Sequence, residues 1–249
     1  MIPFGYRDPQ RAAKVAINLL CANYLLSSHI LNPSAMNIIN LSEQNSVLNN
    51  FIGELRDVNI QKDSMRFRRN LERIGEIFAY EISKQLKYEK KEVQTPLGIA
   101  EVNVVADELV IGTVLRAGLP LHNGILNIFD KAQNCFMASY RKCGKDNKFT
   151  IQLEYVSSPS VDGKVLVLAD SMLATGSTIV LAYQRLKEEG DAKHTHIVCP
   201  VASREGIEYL SKNLPHRSVT MAIDEELTNK SYIVPGLGDA GDLAYGMKK

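Results

Sequence analysis

The sequence predicts an α/β fold: a mostly parallel sheet flanked by helices, with a β-hairpin lid and an N-terminal helical extension. Three observations lead there. Beyond residue 108, short β-branched runs alternate with segments of helical spacing, the order of strand–helix crossovers. ELVIGTV (108–114) and KVLVLA (164–169) are nearly continuous apolar runs, as strands covered by helices on both faces would be. Between them the polar, lysine-rich RKCGKDNK precedes KFTIQLEYV (148–156), whose alternation suits an arm folding back as a hairpin.

Residues 1–35 stand apart. Arg11 and Lys14 precede VAINLLCANYLL, loosely like the charged region and apolar core of a signal peptide. Asn18 and Asn23 interrupt that core, however, and no small-x-small cleavage site follows. A marginal helix and a non-native segment are the alternatives. Met36 opens MNIINLSEQNSVLNNFIGELRD and reads as a natural start. Residues 1–35 are then a loosely docked or detached extension, and 36–249 form one domain without internal repeat or low-complexity linker. From Asp63, Leu71, Ile74, Ile77, Phe78 and Ile82 recur at helical spacing behind an Asp63 or Ser64 cap. Arg66, Arg68, Arg69 and Arg73 crowd the first half of that helix, either as a solvated basic face or as an anion or nucleotide contact.

After Thr95-Pro96-Leu97-Gly98 the α/β pattern begins. Strand 108–114 leads into a helix over Ala117–Phe129, and CFMAS (135–139) is a strand continued by the hairpin. KVLVLA leads into a helix over Ser177–Glu189, stopped by Gly190. HTHIVCPVA (194–202), a helix capped by Ser203, and the strand SVTMAI (218–223) complete the order.

Composition excludes several classes. A hydrophobic share of 45% and a charged share of 23% are ordinary for a globular chain. A formal net charge of +1 gives no pull toward nucleic acid or anionic lipid. Cys21, Cys135, Cys143 and Cys199 form no CxxC pair, which suits reduced thiols in a cytoplasmic protein better than disulfides or a zinc site. His194 and His196, two apart in a strand, would share a sheet face as a partly exposed structural pair. No apolar run is long enough to span a bilayer.

Gly236-Leu237-Gly238-Asp239-Ala240-Gly241 matches G-x-G-x-x-G, the dinucleotide fingerprint. That motif works inside a strand–helix–strand unit with an acid about twenty residues later. Eight residues follow Gly241, too few to build the unit. Ligands in open α/β sheets instead sit beyond the strands' carboxyl ends, here at TVLRAG, ASYRKCG and LADSMLATGST. In the last, a buried strand ends at Asp170, Thr175 and Gly176 form a loop, and Ser177 and Thr178 open a helix. Helix N-terminal amides beside hydroxyls make a phosphate site. Without a lysine after Gly176 it is not a triphosphate loop. One phosphate on the loop, with Asp170 taking sugar hydroxyls, suits a ribose 5-phosphate. An ordinary capped strand–turn–helix is the alternative.

The segment Asp170–Thr178 closely resembles the phosphoribosyl-diphosphate loop of uracil phosphoribosyltransferases, usually DPMLATGGS. VLRAGL (114–119) is similar to that family's ILRAGL and SYR (139–141) to its MYR. AIDEELTNKSYIVPGLGDAGD is similar to its uracil-binding end, and NSVLNNFIGELRD and FRRNLERIGEIFAYE to its N-terminal helices. The likeness runs from about Met36 to Gly246. It implies a phosphoribosyltransferase-like fold and transfer of ribose 5-phosphate from phosphoribosyl diphosphate (PRPP) to N1 of uracil.

Residue by residue, the resemblance implies a diphosphate-binding and catalytic role for Arg116 and Arg141. It implies PRPP binding by Asp170, Ser171, Met172, Leu173, Ala174, Thr175, Gly176, Ser177 and Thr178. Asp239 is implied as the catalytic acid beside the pyrimidine, in contact with metal-bound water or diphosphate. Tyr232, Ile233, Gly238, Asp239 and Ala240 are implied to bind uracil. Mg²⁺ carried by PRPP, a non-proline cis peptide at Leu115–Arg116, a homodimer or higher homo-oligomer and, as in some relatives, a GTP effector belong to the same expectation. Ser171 replaces a proline of the usual loop, Ser177 a glycine, and Leu243 an arginine. A pyrimidine-operon regulator of the same fold, binding nucleotide and RNA, is the rival reading, with the arginine cluster at 66–73 as its support.

Overall fold

The computed structural model describes residues 36–143, 149–214, 218–223, 226–228 and 232–247. The segment before Met36, and the signal-like reading of it, lie outside the described residues, as does the hairpin tip.

Helix α1 (Val47–Arg56) begins at Ser46, whose side chain accepts from the Leu48 amide. Helix α2 (Ser64–Ser83) begins at Asp63, whose carboxylate accepts from the amides of Met65 and Arg66, as predicted. A hairpin of β2 (Tyr88–Thr95) and β3 (Gly98–Val105) follows. Strand β4 (Leu109–Leu115) then leads into helix α3 (Leu119–Ile128). The sequence placed that helix's start two residues earlier. Arg116–Gly118 form a turn instead, and Pro120 sits in the first helical turn, where its fixed φ and missing N–H cost nothing.

The expected hairpin is β5 (Gln133–Cys143) against β6 (Phe149–Ser157). Pairing with β6 carries β5 four residues past the predicted end. Strand β7 (Val165–Ala169) and the short β8 (Met172–Leu173) lead into α4 (Ser177–Leu186). A 3₁₀ turn, Lys187–Glu189, ends at Gly190, where φ is 132°. Strand β9 (His194–Ala202), helix α5 (Arg204–Asn213) and strand β10 (Ser218–Ile223) match the predicted spans. Two short strands, β11 (Glu226–Leu227) and β12 (Ile233–Val234), precede the six-residue helix α6 (Ala240–Tyr245).

The main sheet runs β1-β10-β9-β7-β4-β5-β6, with β1 (Asn37–Asn40) at one edge and β8 added beside β9. Every pairing is parallel except that of β5 with β6. Alternate residues of each central strand serve opposite faces. Val165, Val167 and Ala169 join Ile111 in the core built with α1, α2 and α3. Leu166 and Leu168 join Val110 and Val114 in the core built with α4 and α5. This double coverage explains the continuous apolar runs. It also corrects the reading of His196, which is 1% exposed and not partly exposed. His194 and His196 do share a face, their rings 4.5 Å apart and edge-on. Burial pushes the His196 ring down to about 3, so it is neutral at physiological pH.

Helices α2 and α3 touch through glycines. A Cβ on Gly124 would lie 2.7 Å from the Glu72 carbonyl carbon, and one on Gly75 3.1 Å from the Gly124 Cα. Gly124→Ala should destabilise the protein by about 2 kcal/mol despite alanine's better helix propensity. Urea unfolding is the check, and an unchanged midpoint would show that the helices separate without cost.

Candidate active site

Strands β7, β4 and β5 lie side by side, so their exit loops open onto one end of the sheet. The register aligns Thr113 with Ala169 and Leu115 with Ala138. The Thr113 hydroxyl donates to the Ala169 carbonyl at 3.1 Å and joins two of these exits below the loops.

Above them is a cavity of about 560 Å³. It is lined by Arg116, by Asp170 through Gly176, by Thr178, and from the carboxyl-terminal segment by Tyr232, Gly238, Asp239 and Ala240. Two predicted residues among the described ones, Ser177 and Ile233, are not on its wall. Ser177 binds Thr175 instead, hydroxyl to hydroxyl at 2.6 Å. Ile233 is buried in β12, in the same core as Leu237 and Ala240. Arg141 has its backbone in β5, opposite Ile151, and its side chain lies outside the described residues. Ser139 and Gly241 line the cavity without having been singled out. Both stood inside recognised motifs, SYR and GLGDAGD, which was the available signal.

The phosphate loop turns on Gly176, which caps α4 at φ 75°. A Cβ there would press on the Gly206 carbonyl at 2.9 Å. Glycine is required both for the left-handed turn and for this approach. The loop is clamped from behind by Ser203, which is fully buried. Its hydroxyl donates to the Ala174 carbonyl at 2.6 Å and accepts from the Gly206 amide at 2.9 Å, while its own amide donates to the Leu173 carbonyl. The clamp fixes the loop that opens α4, and amides at a helix N-terminus are groups that receive a phosphate.

Asp170 ends β7 at the cavity. Desolvation pushes its carboxyl up to about 7, against the opposing pull of the Ser171 and Met172 amides. The replacement of proline by Ser171 leaves a nearly buried hydroxyl 3.5 Å from that carboxylate.

The peptide Leu115–Arg116 is cis, as the resemblance implied. Arg116 Nη2 donates to Asp242 Oδ1 at 3.2 Å and to the Gly246 carbonyl at 3.1 Å. Asp239 caps α6, its Oδ1 accepting from the Asp242 amide at 3.0 Å. Before it, a cis Val234–Pro235 bond leads into Gly236, where φ is 56°, and Gly238, where φ is 92°. A Cβ on Gly238 would meet nothing within 4 Å, so that main chain is open to a flat ligand. Leu243 packs, partly buried, against the core.

Among the described residues no histidine lines the cavity. His122 is buried against Asn134, and burial lowers its pKa. Nor do the described residues hold a group of three or more His, Cys, Asp or Glu fit to bind a metal directly. The carboxylates of Asp170 and Asp239 suit a cation that arrives coordinated by its own phosphates. The arginines of the 66–73 cluster have partners within the protein. Arg66 pairs with Glu54, Arg69 with Glu72, Arg73 lies 5.2 Å from the Phe51 ring, and Arg68 binds the Ala244 carbonyl.

The family model for uracil phosphoribosyltransferase matches residues 42–247. A uracil phosphoribosyltransferase of Porphyromonas gingivalis is 49% identical over 215 residues, 86% of this chain and 100% of that one. One of Pyrococcus furiosus is 38% identical over 208 residues, 82% of this chain and 88% of that one. Among solved structures, the AQ2163 protein from Aquifex aeolicus is similar at a TM-score of 0.75 and 28% identity, over 84% of this chain and 98% of that one.

Removing the clamp tests the loop. Ser203→Ala should cost about 1 to 2 kcal/mol of stability, through the lost cap and an unpaired Ala174 carbonyl. It should also weaken PRPP binding several-fold in calorimetry. Equal affinity in the variant would show that the loop holds its shape unaided.

Proposed function

Because the chain belongs to the uracil phosphoribosyltransferase family, we propose that it transfers ribose 5-phosphate from PRPP to N1 of uracil. The products are UMP and diphosphate, a pyrimidine-salvage reaction, and residues 36–249 form the catalytic domain. The observation that carries this reading is convergence: the VLRAGL turn, the phosphate loop and the GLGDAG segment, distant in sequence, wall one cavity.

The chemistry follows from the groups present. The α4 amides and the hydroxyls of Thr175 and Thr178 take the 5-phosphate, with Ser171–Ala174 shaping the loop around it. The Asp170 carboxylate accepts from the ribose hydroxyls. Displacement at the anomeric carbon builds cationic character on the ribose while diphosphate departs with its electrons. The Arg116 guanidinium, joined by Arg141 from β5, holds that leaving group. Mg²⁺ brought by PRPP would supply further neutralisation of the diphosphate oxygens. Asp239 lines the same cavity, its Oδ1 accepting from the Asp242 amide.

Uracil presents an N3–H donor between two carbonyl acceptors. We assign the reading of that pattern to main-chain groups of Gly238–Ala240, with Tyr232, 46% exposed, flanking the base. Cytosine would leave donors and acceptors unpaired, a discrimination on the order of 10⁴.

Self-association as a homodimer or larger homo-oligomer is supported by the β2–β3 hairpin, which exposes Leu97 fully and Ile99 at 68%. The buried free thiols of Cys135 and Cys199 support a reducing, cytoplasmic setting. No helix among the described residues is long and apolar enough to cross a membrane.

A coupled assay with PRPP, Mg²⁺ and a base panel tests the activity. UMP should form from uracil, with cytosine, orotate and hypoxanthine inert, and no UMP would defeat the proposal. Titrating GTP into that assay tests the effector. Asp239→Asn should cut turnover by about 10² while the fold persists, and a near-normal rate would remove Asp239 from the chemistry. The raised pKa of Asp170 sets a pH dependence. Below about 7 the free enzyme carries the neutral acid, which cannot accept from both hydroxyls. The KM for PRPP should therefore fall as pH rises from about 6 to 8, and Asp170→Asn should flatten that dependence.

A further inference from the structure

Asp242 stands outside every role assigned so far, yet it touches two of the proposed catalytic groups. A carboxylate at the edge of a site for a polyanion repels its ligand, so its position calls for a compensating contribution. The hydrogen bonds supply one. Its Oδ1 accepts from Arg116 Nη2 at 3.2 Å, and the same nitrogen donates to the Gly246 carbonyl at 3.1 Å. Two acceptors on one nitrogen fix the guanidinium plane. Among the described residues the Arg116 Nε–H is left buried without a partner, as a donor for a ligand oxygen. On its other side, the Asp242 amide donates to Asp239 Oδ1 at 3.0 Å. One residue therefore sets both the cation and the acid.

The surroundings make this arrangement stiff. Gly241 occupies the gap between the two groups, where a Cβ would lie 3.2 Å from Asp239 Oδ1 and 3.6 Å from Arg116 Nη2. Helix α6 is tied down from behind by Arg68, which donates to the Ala244 carbonyl at 2.6 Å and lies 5.7 Å from the Tyr245 ring. Leu243 brings no cation, so among the described residues Arg116 is the one ion-pair partner of Asp242.

We propose that Asp242 is a positioning residue, which orients the Arg116 guanidinium toward the leaving diphosphate and registers it against Asp239. This rests on the transferase reading above. The test is steady-state kinetics of Asp242→Ala and Asp242→Asn in the full chain, with arginine Nε–H spectra of each. Asp242→Ala should lower kcat by about 10- to 100-fold, because a misplaced group forfeits its transition-state contact. Asp242→Asn keeps an oxygen acceptor and should recover part of the loss. The KM for uracil should stay within about twofold in both, since main-chain groups read the base. The Arg116 Nε–H signal, assigned by its loss in Arg116→Lys, should be slow to exchange in the wild type and averaged in Asp242→Ala. A kcat within twofold of wild type, or a uracil KM rising in step with the loss of kcat, would overturn the proposal. So would an Arg116 signal unchanged by Asp242→Ala. If the wild type turns over no uracil, the transferase reading fails, and the spectra still judge the positioning.

Discussion

Thr113 donates its hydroxyl to the Ala169 carbonyl at the point where two buried parallel strands reach their carboxyl ends. The contact is small, but it lies within a constraint on which the rest depends: β7, β4 and β5 must pair in parallel and in one register. Parallel strands need crossovers, and the crossover helices bury both sheet faces. Loops that leave such strands have nowhere to go but the carboxyl edge. Arg116 and Asp170 therefore meet there, although 54 positions separate them in the chain.

The carboxyl-terminal segment completes the cavity by a different means. It leaves the sheet through the β11–β12 ribbon, turns at a cis proline and two left-handed glycines, and ends in α6. It is held by side chains reaching across the chain, Arg68 to Ala244 and Arg116 to Asp242 and Gly246. Of the glycines that resemble a dinucleotide fingerprint, Gly238 leaves its main chain open, while Gly236 turns against the Ile233 carbonyl. What bears on the choice between a dinucleotide and a flat ligand is the element that follows, here the six-residue helix α6 capped by Asp239.

Much of this was legible in the sequence because the physics was local. Asp63 and Ser203 cap where short polar residues precede helical spacing, and β7 reads as a strand because both its neighbours' faces are covered. The β2–β3 hairpin was not legible. Its residues are exposed or half-buried on both faces; Ala100, Val102 and Val104 alternate with polar residues in β3, but β2 carries no such period, and only Pro96-Leu97-Gly98 hinted at the turn. His196 misled because strand order is not a local property: pairing with both β7 and β10 places it inside the sheet. Within the site, Asp242 escaped notice because its partner is 126 positions away. A spacing argument cannot find an ion pair that only tertiary packing creates.

The central claim is that three strand exits and one carboxyl-terminal turn together hold PRPP and uracil. A crystal structure with Mg²⁺, uracil and a non-reactive PRPP analogue tests it most directly. The account predicts the 5-phosphate on the amides of Ala174–Thr178, the ribose hydroxyls on Asp170, the diphosphate at Arg116, and uracil edge-on to the main chain of Gly238–Ala240. A base bound away from that turn, or a diphosphate out of reach of Arg116, would contradict it.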